Sequence, residues 1–268
     1  MFRDKVVIVT GASSGLGATL ATEFAKTGAK VALFSPEGEK QAEVARQCEA
    51  AGGRALPVVG DVTREGDCSA LVEKTLGSFG AIDYLVANAG ISMWAPFAEV
   101  DDLEVFRKLV EVNYLGAVNC VHFALPHLIA SKGMVVAITS IQGKIGVPLH
   151  TGYVGSKHAL QGFCETLRME LAGTGVDILT VLPHWLRGTD LRKNAFGKDG
   201  RALGTSSRRH SKESISLEEA AHAIMHATHK RKRSLVIPWK LRLLLALNLL
   251  APRLAEALIM GAVKHQED

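Results

Sequence analysis

Residues 5–17 read KVVIVTGASSGLG, and the fold turns on this stretch. Lys5–Thr10 is a short apolar, β-branched run, the mark of a buried strand. From Leu16 to Thr27 apolar residues recur at helical spacing and stop before Gly28, a residue suited to the position just past a helix end. Between them lies Thr10-Gly11-Ala12-Ser13-Ser14-Gly15-Leu16-Gly17. Glycines in a strand-to-helix turn let the backbone approach a phosphate closely, and the helix N-terminus favours the anion. An ordinary Gly-rich turn is the plainer reading. Its place directly after the first strand favours the nucleotide.

Outward from this turn the same alternation repeats. Val31–Phe34, Ala55–Val59, Tyr84–Ala87, Met134–Thr139, Asp177–Leu182 and Ser234–Ile237 read as strands. Residues 37–51, 65–79, 101–130, 153–173 and 217–229 read as helices. Regular alternation means βαβ units and a parallel sheet. Strands that are apolar throughout fit a sheet covered on both faces. The expected class is α/β: a Rossmann-like, doubly wound, seven-stranded parallel sheet with helices on both faces, its ligands at the carboxyl ends of the strands. No repeat or low-complexity linker divides the chain, so residues 1–268 are expected to form a single domain. The long polar segment 184–216 is expected to be a flap over the substrate.

Composition excludes several classes. With 47% hydrophobic residues in 268, the chain can bury a core and is not a disordered protein. Its 26 glycines are scattered without a three-residue period, which excludes collagen. A net charge of +4 is too mild to point to nucleic acid, but it is unevenly placed: −4 over residues 1–183, +7 over 184–233 and +1 over 234–268. Cys48, Cys68, Cys120 and Cys164 lack C-x-x-C spacing and are expected as buried free thiols. The N-terminus has no apolar stretch of signal-peptide length, and a cytoplasmic location is expected, with peripheral membrane association as an addition.

Two further features carry chemistry. In Tyr153-Val-Gly-Ser-Lys157 the tyrosine and lysine stand at i and i+4, on one helix face. A cation beside the phenol favours phenolate and lowers the tyrosine pKa, as acid/base work near neutral pH requires. Ser140 follows the fifth strand, where its hydroxyl can meet a substrate oxygen held over Tyr153. Taken alone, a Ser at a strand end is more often a turn or cap residue.

Together these residues resemble the short-chain dehydrogenase/reductase family in its compact, single-domain form, with a likeness to lipid- and steroid-directed members. Thr10–Gly17, Asp61-Val62, Asn88-Ala89-Gly90, Asn113, Ser140, Tyr153-x-x-x-Lys157 and Pro183 stand in that family's order and spacing, from about residue 5 to 185. The resemblance implies roles. Gly11, Ser13, Ser14, Gly15, Leu16 and Gly17 would form the pyrophosphate turn, and Asp61 and Val62 would meet the adenine. Asn88, Ala89, Gly90 and Pro183 would line the dinucleotide cleft. Tyr153 would exchange the proton with the substrate oxygen, and Ser140 would orient that oxygen. Lys157 would bind the nicotinamide ribose and depress the tyrosine, and Asn113 would hold a water behind Lys157. Hydride transfer belongs to the cofactor.

The sequence departs from the pattern in two places. At the end of the second strand an acid selects NAD and a base accommodates the 2′-phosphate of NADP. Here these positions hold Ser35 and Pro36. With no carboxylate at 35, the expectation leans to NADP(H), Ser35 donating to the phosphate, with NAD(H) as the alternative because Glu37 follows. After the sixth strand the chain reads Pro183-His184-Trp185-Leu186-Arg187-Gly188-Thr189, with His where the family has Gly and Thr189 one residue late for capping the carboxamide.

Met93, Trp94, Val147, Leu149 and Trp185 are expected to line an apolar substrate pocket. The expected reaction is NADPH-linked reduction of a hydrophobic, lipid- or steroid-like ketone. Alternatives are a long-chain 3-keto-sphingoid reductase, an NAD-dependent alcohol dehydrogenase, and a dinucleotide-binding regulator without turnover. The leucine-rich tail 239–263, with Lys240, Arg242 and Arg253, has three readings: packing near the pocket, a subunit interface, or a membrane surface. A homodimer or homotetramer is expected from the family. His222, His226 and His229 share a helix face, but no metal is expected.

Overall fold

The computed structural model describes residues 1–204 and 214–264; residues 205–213 of the expected flap lie outside the described residues. Seven strands form one sheet: β1 (Val6–Thr10), β2 (Lys30–Ser35), β3 (Arg54–Val59), β4 (Tyr84–Ala87), β5 (Met134–Ile138), β6 (Asp177–Pro183) and β7 (Ser234–Ile237). Every pairing is parallel, in the order β3-β2-β1-β4-β5-β6-β7. The order reverses between β1 and β4, and at such a switch point a crevice opens beyond the strand ends.

The inner strands β1, β2, β4, β5 and β6 are mostly apolar because both faces are covered. Side chains alternate across a strand. Val7, Val9, Val31 and Leu33 enter a core against α1 (Gly15–Lys26), α2 (Gly38–Ala50) and α7 (Leu217–His229). Ile8, Ala32 and Phe34 enter a second core against α3 (Glu65–Phe79), α5 (Gly116–Ser131) and α6 (Thr151–Glu170). β3 is one of the two edge strands, and it tolerates Pro57 because its outer side makes no ladder bonds. His222, on α7, places Nε2 3.1 Å from Glu23 Oε2 on α1, so this histidine ties two helices. All four cysteines are buried free thiols.

One expected helix is in fact three pieces. The span 101–130 divides into α4 (Glu104–Val110), a π-helical turn (Glu111–Leu115) and α5. A π turn carries an extra residue per turn and is frequent at functional sites. Its residue Asn113 is buried.

The tail folds as α8 (Leu241–Leu250) and α9 (Pro252–Lys264), with the break at Ala251, where the following proline disfavours helical backbone. Leu241 and Ile259 face inward and pack with Ile141, Ile145, Leu182 and Val236. Leu243, Leu249, Leu250, Leu254, Leu258 and Met260 face out, Leu249 and Leu250 at 82% exposure each. No described helix is long and apolar enough to cross a membrane. The basic run 230–233 precedes β7 and the tail follows it, so the two lie at opposite ends of that strand and form no common patch.

Candidate active site

The crevice at the switch point is a cleft of about 490 Å³. Its nucleotide half is built by close backbone approach. Gly11 has φ +62° and lies so near β4 that a Cβ there would meet Ala89 Cα at 2.9 Å. A Cβ on Gly17 would stand 2.1 Å from the Gly11 carbonyl oxygen. Thr10 and Asn88 lock the turn: Thr10 Oγ1 accepts from the N–H groups of Asn88 (2.9 Å) and Ala89 (3.0 Å), while Asn88 Nδ2 donates to the Thr10 carbonyl at 2.9 Å. Ser14 precedes α1 without capping it through its side chain, so the first N–H groups of that helix face the cleft uncapped. This is the cradle a pyrophosphate needs. Ser13, Gly15, Leu16, Asp61, Val62, Gly90 and Pro183 also line the cleft, as does Thr189, which packs against Gly15.

Ser140, Tyr153 and Lys157 line the other half. Ser140 accepts from Gln142 N at 3.1 Å, so it caps the turn Ile141–Gly143 and faces the cleft as well. Burial pushes the Tyr153 phenol up to about 12, with the hydrogen bond from Ser140 working the other way. Burial pulls Lys157 down to about 8. Its ammonium donates to the Ile138 carbonyl at 3.0 Å and sits 5.7 Å from the Tyr153 ring centroid. Burial is the dominant influence on both groups. Asn113 braces the loop after β4. Its side chain is taken up by the Ile91 backbone (Oδ1 accepting at 2.8 Å, Nδ2 donating at 2.9 Å) and by Ser156 Oγ at 2.9 Å. Its Oδ1 and the Lys157 ammonium both flank Gly90.

Residues 5–200 match the family model described as short chain dehydrogenase. The chain belongs to the short-chain dehydrogenase family. Relatives include the Arabidopsis thaliana protein named 11-beta-hydroxysteroid dehydrogenase-like 6, 36% identical over 239 residues, covering 87% of this chain and 70% of that one. Another is the Dictyostelium discoideum dehydrogenase/reductase SDR family protein 7-like, 32% identical over 263 residues, 96% of this chain and 81% of that one. Against several other curated relatives the chain spans a little over half their length, 56% to 58%. Among solved structures, the alcohol dehydrogenase of the archaeon Thermococcus sibiricus, complexed with 5-hydroxy-NADP, shares the fold at TM-score 0.74 and 24% identity, covering 87% of this chain and 95% of that one.

As a short-chain dehydrogenase the chain binds NAD(P), and the cleft fits that group through its turn and open helix end. At the 2′ end the structure places Glu37, the ground for the NAD(H) alternative. Glu37, two residues beyond β2, turns into the cleft, where Ser13 Oγ donates to its Oε2 at 2.5 Å and Lys40 Nζ lies 2.6 Å from Oε1. Lys40, then Ser13, hold its carboxyl below the usual range. Ser35 Oγ meanwhile accepts from Glu37 N at 3.2 Å, so part of its capacity is already used locally.

At the substrate end only Trp185 of the five expected residues lines the cleft. Met93 is fully buried behind Tyr153, beside Leu109, and its sulfur accepts from Gly152 N at 3.2 Å. Val147 belongs to the cluster holding α8 and α9. Leu149 adopts φ +69°, its carbonyl accepting from Ala95 N at 2.9 Å. Trp94 packs its ring 4.6 Å from His150 and stands one layer back. The cleft wall is made instead by Ile91, Ile141, His150, Leu186, Leu191 and Arg192. Their sequence neighbourhood hinted at this: Ile91 follows the Asn-Ala-Gly turn, Ile141 follows Ser140, and His150 lies three residues before Tyr153. Nothing local marked Arg192, which a long excursion from β6 brings in.

Proposed function

We propose that this chain is an NAD(P)H-linked reductase of hydrophobic ketones, lipid- or steroid-like in character. The observation that carries the reading is the Ser140–Tyr153 hydroxyl pair, buried in the same cleft as the nucleotide cradle. When bound, the dinucleotide supplies the hydride. The chain's own residues do the rest. Tyr153 and Ser140 hold the ketone oxygen between two hydroxyls, and Tyr153 gives it the proton as charge develops there. Lys157 places a cation behind the phenol, and the apolar walls of Ile91, Ile141 and Leu186 exclude water from the reacting carbon. The names of the relatives favour steroid-like substrates. A regulator without turnover would have no use for the buried hydroxyl pair.

For the cofactor, Glu37 moves the balance away from the NADP(H) lean and towards NAD(H). A carboxylate accepts hydrogen bonds from a ribose 2′-hydroxyl and repels a 2′-phosphate, and its pairing with exposed Lys40 only softens this. Purified protein with a panel of apolar ketones is expected to show higher kcat/KM with NADH than with NADPH. Glu37→Gln is expected to shift that ratio about tenfold towards NADPH, the scale of one charged hydrogen bond. A wild-type preference for NADPH that Glu37→Gln leaves in place overturns the cofactor assignment. Absence of turnover with both nucleotides across the panel overturns the reductase.

The tail suits the same substrate class. Its outward leucines are interspersed with Lys240, Arg242 and Arg253, while Glu256 is the lone acid between Leu241 and Lys264. A second copy laid on this face would oppose cation to cation. An anionic lipid surface would neutralise them, and helices of this length lie in the interface rather than spanning it. Co-sedimentation with phosphatidylserine vesicles is expected, weakening with salt and lost in Leu249→Glu/Leu250→Glu. Binding that is absent at low salt returns the face to a protein contact.

A further inference from the structure

A polar group with no part in the proton transfer also lines the cleft. It is His184, the residue directly after β6, where the family has Gly. Its backbone still belongs to the sheet: His184 N donates to the Ile237 carbonyl at 2.8 Å, continuing the ladder in which Pro183 pairs with Ile237. Alternation along β6 therefore sets its side. Leu179 and Val181 enter the core against α1, whereas Ile178 and Leu182 enter the opposite face, shared with α6 and the tail helices. His184 continues the second series, on the side of the sheet that carries Tyr153 rather than the pyrophosphate turn. Ile138 pairs with Val181, which brings Ser140 and Pro183 to the same level on neighbouring strands. The imidazole thus follows one residue beyond the level of Ser140, close to where the ketone oxygen is held.

The ring lies 6.1 Å from that of Trp185 and has no hydrogen-bond partner among the described residues. Burial alone pulls its pKa down to about 4, so at neutral pH the ring is uncharged, one nitrogen donating and the other accepting. Water entering an open cleft can serve both nitrogens, and a substrate filling the cleft expels it. An apolar body would then leave the imidazole unpaired, whereas a hydroxyl would pair with it. Two residues past Ser140 the situation recurs. Gln142 lines the cleft, and its side-chain carbonyl is buried without a partner. Both unmatched groups are neutral, which favours a hydroxyl over an ion as the group they meet.

We propose that the substrate is a hydroxyketone: near its carbonyl it carries a hydroxyl that His184 binds and selects. This rests on the reductase reading and adds to it the second polar group of the substrate.

The test uses straight-chain ketones bearing a hydroxyl at graded distance from the carbonyl, at saturating dinucleotide. Each is paired with the compound that has a methyl group in place of the hydroxyl. At the matching distance the hydroxyketone is expected to show a kcat/KM at least about tenfold above its partner, the scale of leaving one buried polar group unpaired. His184→Phe keeps a ring and loses both nitrogens, and His184→Gly restores the family's residue; in each the ratio is expected to fall about tenfold. His184→Gln is expected to keep part of it, because an amide still donates and accepts. Comparing the ratio between wild type and variant cancels the intrinsic reactivity of each ketone. Dinucleotide affinity by isothermal titration is expected to stay within about twofold of wild type. Four outcomes overturn the assignment. One is equal kcat/KM within every pair, with both members reduced, which leaves the reductase standing. Another is a ratio that survives His184→Phe and His184→Gly but falls in Gln142→Leu, which moves recognition to that amide. A third is a ratio unchanged in the variants while dinucleotide affinity falls, which gives the imidazole to the cofactor. The last is reduction of neither member of any pair, which removes the reductase and this inference together.

Discussion

Tyr153→Phe lowers kcat for ketone reduction about a thousandfold, the loss expected when a positioned proton donor is removed, and leaves dinucleotide binding measurable by fluorescence titration. Phenylalanine fills the same buried volume, so the variant remains folded. Two buried groups of the site also contribute to how stability varies with pH. Lys157 has a pKa of about 8 in the folded protein against 10.5 when solvated. Below pH 8 both states are protonated and the fold carries the full cost of a desolvated ammonium, about 3 kcal/mol. Between pH 8 and 10.5 the folded state releases that proton first, and stability rises. Tyr153 acts in the opposite sense: at about 12 when folded against 10.0 when free, it resists ionisation, so stability falls as pH climbs from 10 to 12. Urea unfolding of the cofactor-free protein is expected to reveal the rise between pH 8 and 9; above that the thiols of Cys48 and Cys164, raised by burial, and of Cys120, raised by its contact with Cys68 and by burial, pull stability down as Tyr153 does. In Tyr153→Phe the rise persists and the fall above pH 10 is reduced. A flat profile in the wild type from pH 8 to 9 contradicts the burial of Lys157 as a charge.

Gly17→Ala abolishes dinucleotide binding. The new methyl would stand 2.1 Å from the Gly11 carbonyl oxygen and 2.6 Å from Asn88 Nδ2. Neither atom is the loose end of a long side chain: one is backbone, and the other is held by the Thr10 carbonyl. Relief requires α1 to move away from β1, which opens the turn that holds the pyrophosphate. Destabilisation of about 1–3 kcal/mol accompanies the loss, the usual range for overpacking. Gly162→Ala is the matched control. It also lies in a helix, nothing stands within 4 Å of its added methyl, and a gain of up to about 1 kcal/mol in helix propensity is expected there. Isothermal titration with NADH and urea unfolding of both variants check the pair. Micromolar binding by Gly17→Ala would mean that the turn is not built on this contact.

The sheet was legible because its strands are continuous apolar runs between helices with polar faces; β4 and β7, and helices α3 and α7, fall on the residues the sequence indicated. The cradle was legible too, since Gly11, Gly15 and Gly17 answer to backbone geometry that side-chain neighbours cannot supply. What escaped reading depends on contacts distant in sequence. The π turn around Asn113 is invisible to helical periodicity, because the apolar pattern runs through it. Glu37 supported only the NAD(H) alternative because it lies past the strand end, whereas Ser13, on another loop, draws its carboxylate into the cleft. Met93 and Trp94 had the composition of a pocket and the location of a wall. In a packed interior apolar residues serve either purpose, and only the third dimension separates the layers.

Ile141 has one side in the cleft and the other in the cluster that seats α8 and α9. The residue before it is Ser140. Mutational tolerance along the tail should therefore change character with every turn of helix. Outward positions such as Leu249 and Leu250 can be varied without disturbing the fold, vesicle binding alone being lost, whereas Leu241 and Ile259 are in effect part of the mounting for the Ser140 hydroxyl. A tag or truncation at the C-terminus would be judged by the same division: confined to the outer face while those two side chains stay seated, and felt at Ser140 once they do not.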